Sequence, residues 1–144
     1  MNSTRSTRLK RLLSFEEKQL LATKRELQKV QAELRRQTEE MKNMQDRFEN
    51  TIAKIDQTSL EQLRQSGPWS ERMQDSIAHK KAEIAQKSIV RDELINRVIE
   101  QRASVKGWEL LNEKLAAEEA EAFERDERIA ADDHHLQKQN RRIG

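Results

Sequence analysis

The chain has 144 residues, of which 38% are charged and 34% hydrophobic, and its formal net charge is +2. Because a compact globular domain carries about 45–50% apolar residues, this composition excludes a thick core but permits two helices that pack along one seam. The chain has no cysteine, which excludes disulfides, thiolate metal sites and cysteine nucleophiles.

An apolar residue recurs every seven positions in the first part of the chain. These residues form a predicted coiled-coil seam: Leu13, Leu20, Leu27, Leu34, Met41, Phe48 and Ile55. This spacing is typical of a long helix packed on another helix, and it predicts helix 1 over about residues 5–57. A second row of the seam is polar at Glu16, Thr23, Gln37 and Thr51. We therefore expect a seam of moderate stability.

A turn is predicted after helix 1. Thr58 and Glu61 have the spacing of a capping box, which predicts a short helix within a turn over residues 58–67. Gly67 is placed to end that short helix. Since proline is tolerated in the first turn of a helix but not in its interior, we expect helix 2 to begin at Pro68.

Helix 2 is predicted over about residues 68–136, because apolar residues again follow spacings of three and four. They are Met73, Ile77, Ile84, Leu94, Val98, Val105, Trp108, Leu115, Ala122, Ile129 and Leu136. A glycine costs about 1 kcal/mol in a helix interior, so Gly107 is interpreted as a site of close packing beside Trp108. Residues 137–144 are expected to form a frayed tail.

Together these elements predict an all-α fold, a single long two-helix antiparallel coiled-coil hairpin over residues 1–144. One break in otherwise continuous heptads is what a fold-back requires, and the turn falls between Ile55 and Trp69. We expect a monomer. No apolar run approaches the ~18 residues of a membrane span, so the sequence predicts a cytoplasmic chain without direct membrane insertion.

Enzymatic and metal chemistry find little support in the residue pattern. Three glycines do not provide a nucleotide-binding motif. The side chains of Asp132, Asp133, His134 and His135 are of metal-binding types, but neighbours on a helix point about 100° apart and do not converge without a partner chain. The acidic run near Glu118 is interpreted as a solvated face. We expect no enzyme, no metal site, no cofactor and no small-molecule substrate.

Three parts of the sequence resemble the FliJ/YscO family of type III secretion stalk proteins. Residues 8–18 are similar to the start of that family, in which leucines and an aromatic precede a Glu/Lys-rich coil. Residues 58–63, followed by Trp69 and Met73, are similar to its mid-chain pattern, and residues 124–127 to its acidic C-terminal signature. The flagellar branch of the family is favoured over the injectisome branch.

The resemblance implies a hairpin like the coiled coil of the rotary ATPase γ subunit. Its implied function is that of a central stalk in a flagellar or type III protein export apparatus. The stalk links a hexameric export ATPase to the membrane export-gate protein and assists the handover of export chaperones and substrates. The implied location is cytoplasmic and peripheral to the membrane export apparatus.

Two partner-binding sites are expected on this basis. The predicted ATPase-binding residues are Arg5, Arg8, Lys10, Arg11, Glu118, Glu121, Glu124, Asp126 and Glu127. The predicted export-gate residues are Trp69, Met73, Ser76 and Lys80, whose spacing of four, three and four puts them on one helix face. We expect helix 1 to have frayed beside Trp69. The alternative is that Trp69 caps the seam against Leu60 and Leu63.

Two other functions remain open at the level of sequence. A structural dimeric coiled-coil scaffold would use the same heptads, although Pro68 would then lie in the middle of the assembly. A nucleic-acid-binding hairpin would use the basic first part of the chain. That part interleaves bases with acids and lacks aromatic residues for stacking, which makes this function the weaker alternative.

Overall fold

The computed structural model describes residues Asn2–Ile55 and Leu60–Ile143, all of which lie in two α-helices. They are α1 (Asn2–Ile55) and α2 (Leu60–Ile143). α1 contains neither glycine nor proline and is rich in Leu, Glu, Gln, Lys and Arg, which lose little side-chain freedom in a helix. The two helices pack against each other, so the predicted all-α two-helix hairpin is confirmed.

The helices divide into two units, each of which contains part of both. Unit 1 comprises Met1–Leu20 with Glu100–Gly144, and unit 2 comprises Leu21–Ile99.

In unit 2 the helices run antiparallel. Glu33 of α1 pairs with Lys87 of α2 at 3.0 Å, whereas Glu40 pairs with Lys80 at 2.6 Å. Residue numbers thus rise along one helix as they fall along the other. The buried apolar side chains here are Leu34, Ile77, Leu94 and Val98. Burial of this seam is what holds the two helices together, since a helix in water is otherwise marginal.

In unit 1 the first turns of α1 pack beside α2. Val105 is buried, and Asn112 Nδ2 donates to the Leu9 carbonyl at 3.5 Å and to the Trp108 carbonyl at 2.9 Å. An asparagine at a seam position of a coiled coil favours one register over others, because its amide needs a specific partner. Further along α2, every side chain from residue 123 to residue 142 is exposed.

The predicted seam residues of α1 all lie on the side of the helix that faces α2. Leu34 is buried, and the other six are half-buried: Leu13, Leu20, Leu27, Met41, Phe48 and Ile55. The polar row is also covered, with Thr23 and Gln37 buried and Glu16 and Thr51 half-buried. The seam therefore includes polar groups as well as apolar ones.

The predicted start of helix 2 is wrong. α2 is already helical at Leu60, so residues 60–67 belong to it rather than to a separate short helix. Pro68 lies inside the helix and leaves the Arg64 carbonyl without its usual amide donor. Both residues are exposed, so water can reach that carbonyl. The predicted capping residue Thr58 lies outside the described residues.

Two other sequence predictions about α2 need correction. The segment expected to fray, 137–144, is helical through Ile143, because Gln, Lys and Arg are good helix formers. Arg141 and Arg142 also lie in the last turn, where cations interact favourably with the helix dipole. Close packing does not explain Gly107, since a Cβ placed there meets no heavy atom within 4 Å.

Candidate partner-binding sites

Trp69 lies in unit 2 against α1. Its ring stacks on Phe48, with ring centroids 5.9 Å apart and an interplanar angle of 22°. α1 remains helical through Ile55, so the expected fraying of helix 1 beside Trp69 does not occur. The alternative partner Leu60 is 79% exposed, and the side chain of Leu63 lies outside the described residues. The aromatic pair leaves Trp69 half-buried.

The other three predicted export-gate residues have different environments. Met73 is half-buried and Ser76 is exposed. Lys80 has a side chain only 18% exposed and forms an ion pair with Glu40. Because Lys80 is held in the seam, the surface available to a partner here consists of the open side of Trp69 and Met73 together with Ser76.

Lys80 belongs to a cluster of five charged side chains that joins the helices of unit 2. Arg36 of α1 pairs with both Glu33 and Glu40, and each of those carboxylates also pairs with a lysine of α2, Lys87 or Lys80. The carboxylates are seven residues apart, as are the lysines, so the two ion pairs repeat with the heptad. The cluster joins the helices through charged hydrogen bonds rather than apolar contacts.

The charge cluster changes the acid–base properties of its carboxyls. Hydrogen bonds from Arg36 and then from Lys87 lower the pKa of Glu33 to about 2. A hydrogen bond from Lys80 lowers the pKa of Glu40, and Arg36 adds to this effect. Opposite charges and donated hydrogen bonds favour the ionised form of a carboxyl. Both carboxylates therefore remain ionised well below neutral pH.

The predicted ATPase-binding residues all lie in unit 1 and are all exposed. The bases are Arg5, Arg8, Lys10 and Arg11, and the acids are Glu118, Glu121, Glu124, Asp126 and Glu127. Arg5 and Glu118 line one shallow depression, together with Leu9 and Leu115. Glu124 pairs with Arg128 at 3.5 Å on the surface of α2. Unit 1 thus brings a basic segment of α1 next to the start of an acidic segment of α2.

The side chains of Asp132, Asp133, His134 and His135 are exposed. His135 Nε2 lies 3.3 Å from Gln139 Nε2. Within the described ranges, no group of three or more His, Cys, Asp or Glu side chains is arranged to hold a metal ion. Neither described helix contains a stretch apolar enough to cross a membrane.

The pairing of Glu33 and Glu40 with α2 was not among the contacts predicted from the sequence. The signal was present, because each directly precedes a seam residue of α1, Leu34 or Met41. A lysine at a seam position of one helix can reach an acid that flanks the seam of the other. Lys80 and Lys87 interrupt the apolar spacing of helix 2. Their positions therefore indicate acidic partners on α1.

Comparison of the chain with protein-family models, curated proteins and solved structures finds no match.

Proposed function

We propose that this protein is a central-stalk component of a flagellar or type III protein export apparatus. It links the hexameric export ATPase to the export gate and assists the handover of chaperones and substrates. The observation that carries the proposal is the juxtaposition in unit 1 of four exposed bases on α1 with an exposed acidic stretch of α2. The resemblance of residues 8–18, 58–63 and 124–127 to the FliJ/YscO family supplies the identity of the apparatus.

The charges of unit 1 suit a reversible contact with a large protein. Exposed charges accelerate association and orient the partner, and they contribute less to the lifetime of the complex. The bases Arg8 and Arg11 would face acidic side chains of the ATPase. The acids Glu121 and Asp126 would face basic ones. Such a contact weakens as salt rises, because exposed charges are screened beyond about 10 Å at 0.1 M ionic strength.

The export gate would bind unit 2 through Trp69. Its indole is held by stacking on Phe48, so little side-chain freedom is lost when a partner covers the open face. Aromatic residues commonly dominate binding energy at interfaces, and the thioether of Met73 adapts to irregular surfaces. Lys80 is left out of this contact, because its ammonium pairs with Glu40.

Binding of the purified ATPase tests the proposed function. The test variant reverses four bases to glutamate: Arg5, Arg8, Lys10 and Arg11. The control variant reverses four exposed bases of α1 in unit 2: Arg25, Lys29, Arg35 and Lys42. We expect at least a tenfold loss of affinity for the test variant, with the larger effect at low salt, and a smaller change for the control. Equal losses would remove unit 1 from the interface.

A separate variant tests the gate contact. Trp69→Ala with Met73→Ala should abolish binding to the gate protein or protein secretion, while ATPase binding is retained. Loss of helical circular dichroism in this variant would assign the two side chains to stability rather than to binding. Normal secretion by the variant would exclude the proposed gate contact.

A further inference from the structure

Gly107 occupies a position where packing within the chain gives no reason for glycine. A Cβ built there has no heavy atom within 4 Å, and the backbone does not adopt a positive φ. A glycine in a helix interior is destabilising relative to alanine. Close approach of another backbone is one established use of glycine, and here such a backbone would have to come from outside the fold.

Helix spacing puts exposed apolar side chains on the same side of unit 1 as Gly107. Leu111 lies one helical turn further along α2 and shares a depression with Arg5 of α1. Leu12 follows Arg5 by seven residues and so lies on the same edge of α1, with Phe15 on the next turn. Leu12, Phe15 and Leu111 are 44%, 56% and 50% exposed. These three side chains and Gly107 are called the Gly107 surface.

Bases border the Gly107 surface. Arg8 precedes Phe15 by seven residues and Lys18 follows it by three, so both lie on the same side of α1. Lys114 follows Leu111 by three residues on α2. All three are exposed. Glu17 lies two positions after Phe15, about 200° around α1. Glu118 also lines the depression that Arg5 and Leu111 share, but the bases outnumber it. The surface therefore suits an apolar helix with acidic flanks.

The acidic part of α2 has these properties. Ala122, Ile129 and Leu136 continue the spacing of seven that begins with Leu115, which is half-buried. Ile129 and Leu136 are 59% and 55% exposed, and Phe123 is 64% exposed. Carboxylates outnumber bases in this segment, where Arg125 and Arg128 stand against Glu119, Glu121, Glu124, Asp126, Glu127, Asp132 and Asp133. This row of apolar residues has a spacing that packs on a helix, yet it is open to solvent.

We propose that the Gly107 surface of one copy binds residues 119–136 of a second copy. α2 is a continuous helix through Ile143, so residues 119–136 cannot fold back onto the Gly107 surface of their own chain. Each copy presents both partners of the contact. Antiparallel packing of the two α2 helices about a two-fold axis makes both contacts at once, which closes the assembly as a dimer rather than as a filament. Pairing of two acidic segments with each other would instead place like charges together, which is unfavourable.

This contact goes beyond the proposed export function. It uses Arg8, Glu121 and Asp126, which also belong to the proposed ATPase surface, so the dimer and the ATPase complex exclude each other. The dimer is tested without any ATPase. Sedimentation equilibrium of the whole chain should show a monomer–dimer equilibrium at concentrations up to several hundred micromolar. The dimer should weaken between about 50 mM and about 500 mM salt, because exposed ion pairs are screened. A chain that stays monomeric over this concentration range at about 50 mM salt would overturn the proposal.

Gly107→Leu tests the site directly. We expect at least a tenfold weaker dimer, because the new side chain fills the space into which the partner helix packs. The melting temperature of the monomer, measured at low protein concentration, should not fall, since leucine is a better helix former than glycine and meets open space. Ala82→Leu is the control, since it adds leucine at an exposed position of α2 in unit 2. Unchanged dimerisation of Gly107→Leu, or equal losses in both variants, would overturn the proposal.

Charge reversal distinguishes this contact from pairing of like segments. One variant combines Arg8→Glu with Lys114→Glu, and the other combines Asp126→Arg with Asp133→Arg. Each alone should dimerise at least tenfold more weakly. An equimolar mixture should form a heterodimer, because one of its two contacts then has both sets of charges reversed and the other has both sets as in the original chain. A mixture that dimerises no better than either variant alone would contradict the assignment of the acidic segment as the occupant.

Discussion

Leu94→Ala measures how much the seam contributes to stability. The Leu94 side chain is 3% exposed in unit 2, so the substitution removes three carbon atoms from a buried site. Each buried methylene contributes about 0.8 kcal/mol, which gives about 2.4 kcal/mol of lost transfer free energy. The higher helix propensity of alanine offsets about 0.2 kcal/mol of this loss. The cavity that the substitution leaves adds to the loss of unfolding free energy, and we expect a total loss of about 2–3 kcal/mol.

Ile89→Ala is the matched control on the same helix. Ile89 is 60% exposed, so the lost transfer free energy is about 1 kcal/mol and the gain in helix propensity offsets about 0.4 kcal/mol of it. Urea unfolding followed by far-ultraviolet circular dichroism measures both variants. Equal losses of unfolding free energy would refute the assignment of Leu94 to the seam and of Ile89 to the surface.

Three further predictions concern the polar part of the seam. The pKa of Glu33 is about 2 in the folded chain, against an ordinary value of 4.5. The ionised carboxylate therefore stabilises the fold above pH 4.5, and this stabilisation is lost as the pH falls toward 2. The unfolding free energy of Glu33→Gln should depend less on pH in this range than that of the control Glu39→Gln. Lys80→Glu should lower the melting temperature because a carboxylate then faces Glu40, and adding Glu40→Lys should recover part of the loss; no recovery would argue against the ion pair. Gln37→Leu should raise the unfolding free energy by about 1 kcal/mol, because it removes a buried Oε1 that has no hydrogen-bond partner; a lower melting temperature would contradict this.

The fold class was predictable because heptad spacing is a property of each helix alone. The seven predicted seam residues of α1, from Leu13 to Ile55, are all buried or half-buried in the structure. The start of α2 was not predictable from Pro68, because the rule against proline in a helix interior describes a cost of about 3 kcal/mol rather than a prohibition. A long helix that continues on both sides can absorb that cost, and exposure of Arg64 lets water replace the missing donor.

The candidate sites were less predictable, because they depend on the register between helices. Lys80 shares a helix face with Met73 by spacing alone, but its pairing with Glu40 follows from how α1 and α2 align. Trp69 likewise was expected beside a frayed helix and instead stacks on Phe48. Gly107 shows the reverse case. Its sequence position suggested tight packing, and only the structure shows open space beside it.

The stoichiometry of the complex with the export ATPase tests the central claim most directly. A stalk that occupies the axis of a ring leaves no second equivalent place on that axis, so one copy binds each hexamer. Native mass spectrometry of the purified chain mixed in excess with the hexameric ATPase measures this ratio. The proposed function predicts a single chain per hexamer, and the quadruple reversal of the unit 1 bases should reduce its occupancy. Several chains bound around each hexamer, or no complex at low salt, would contradict the claim.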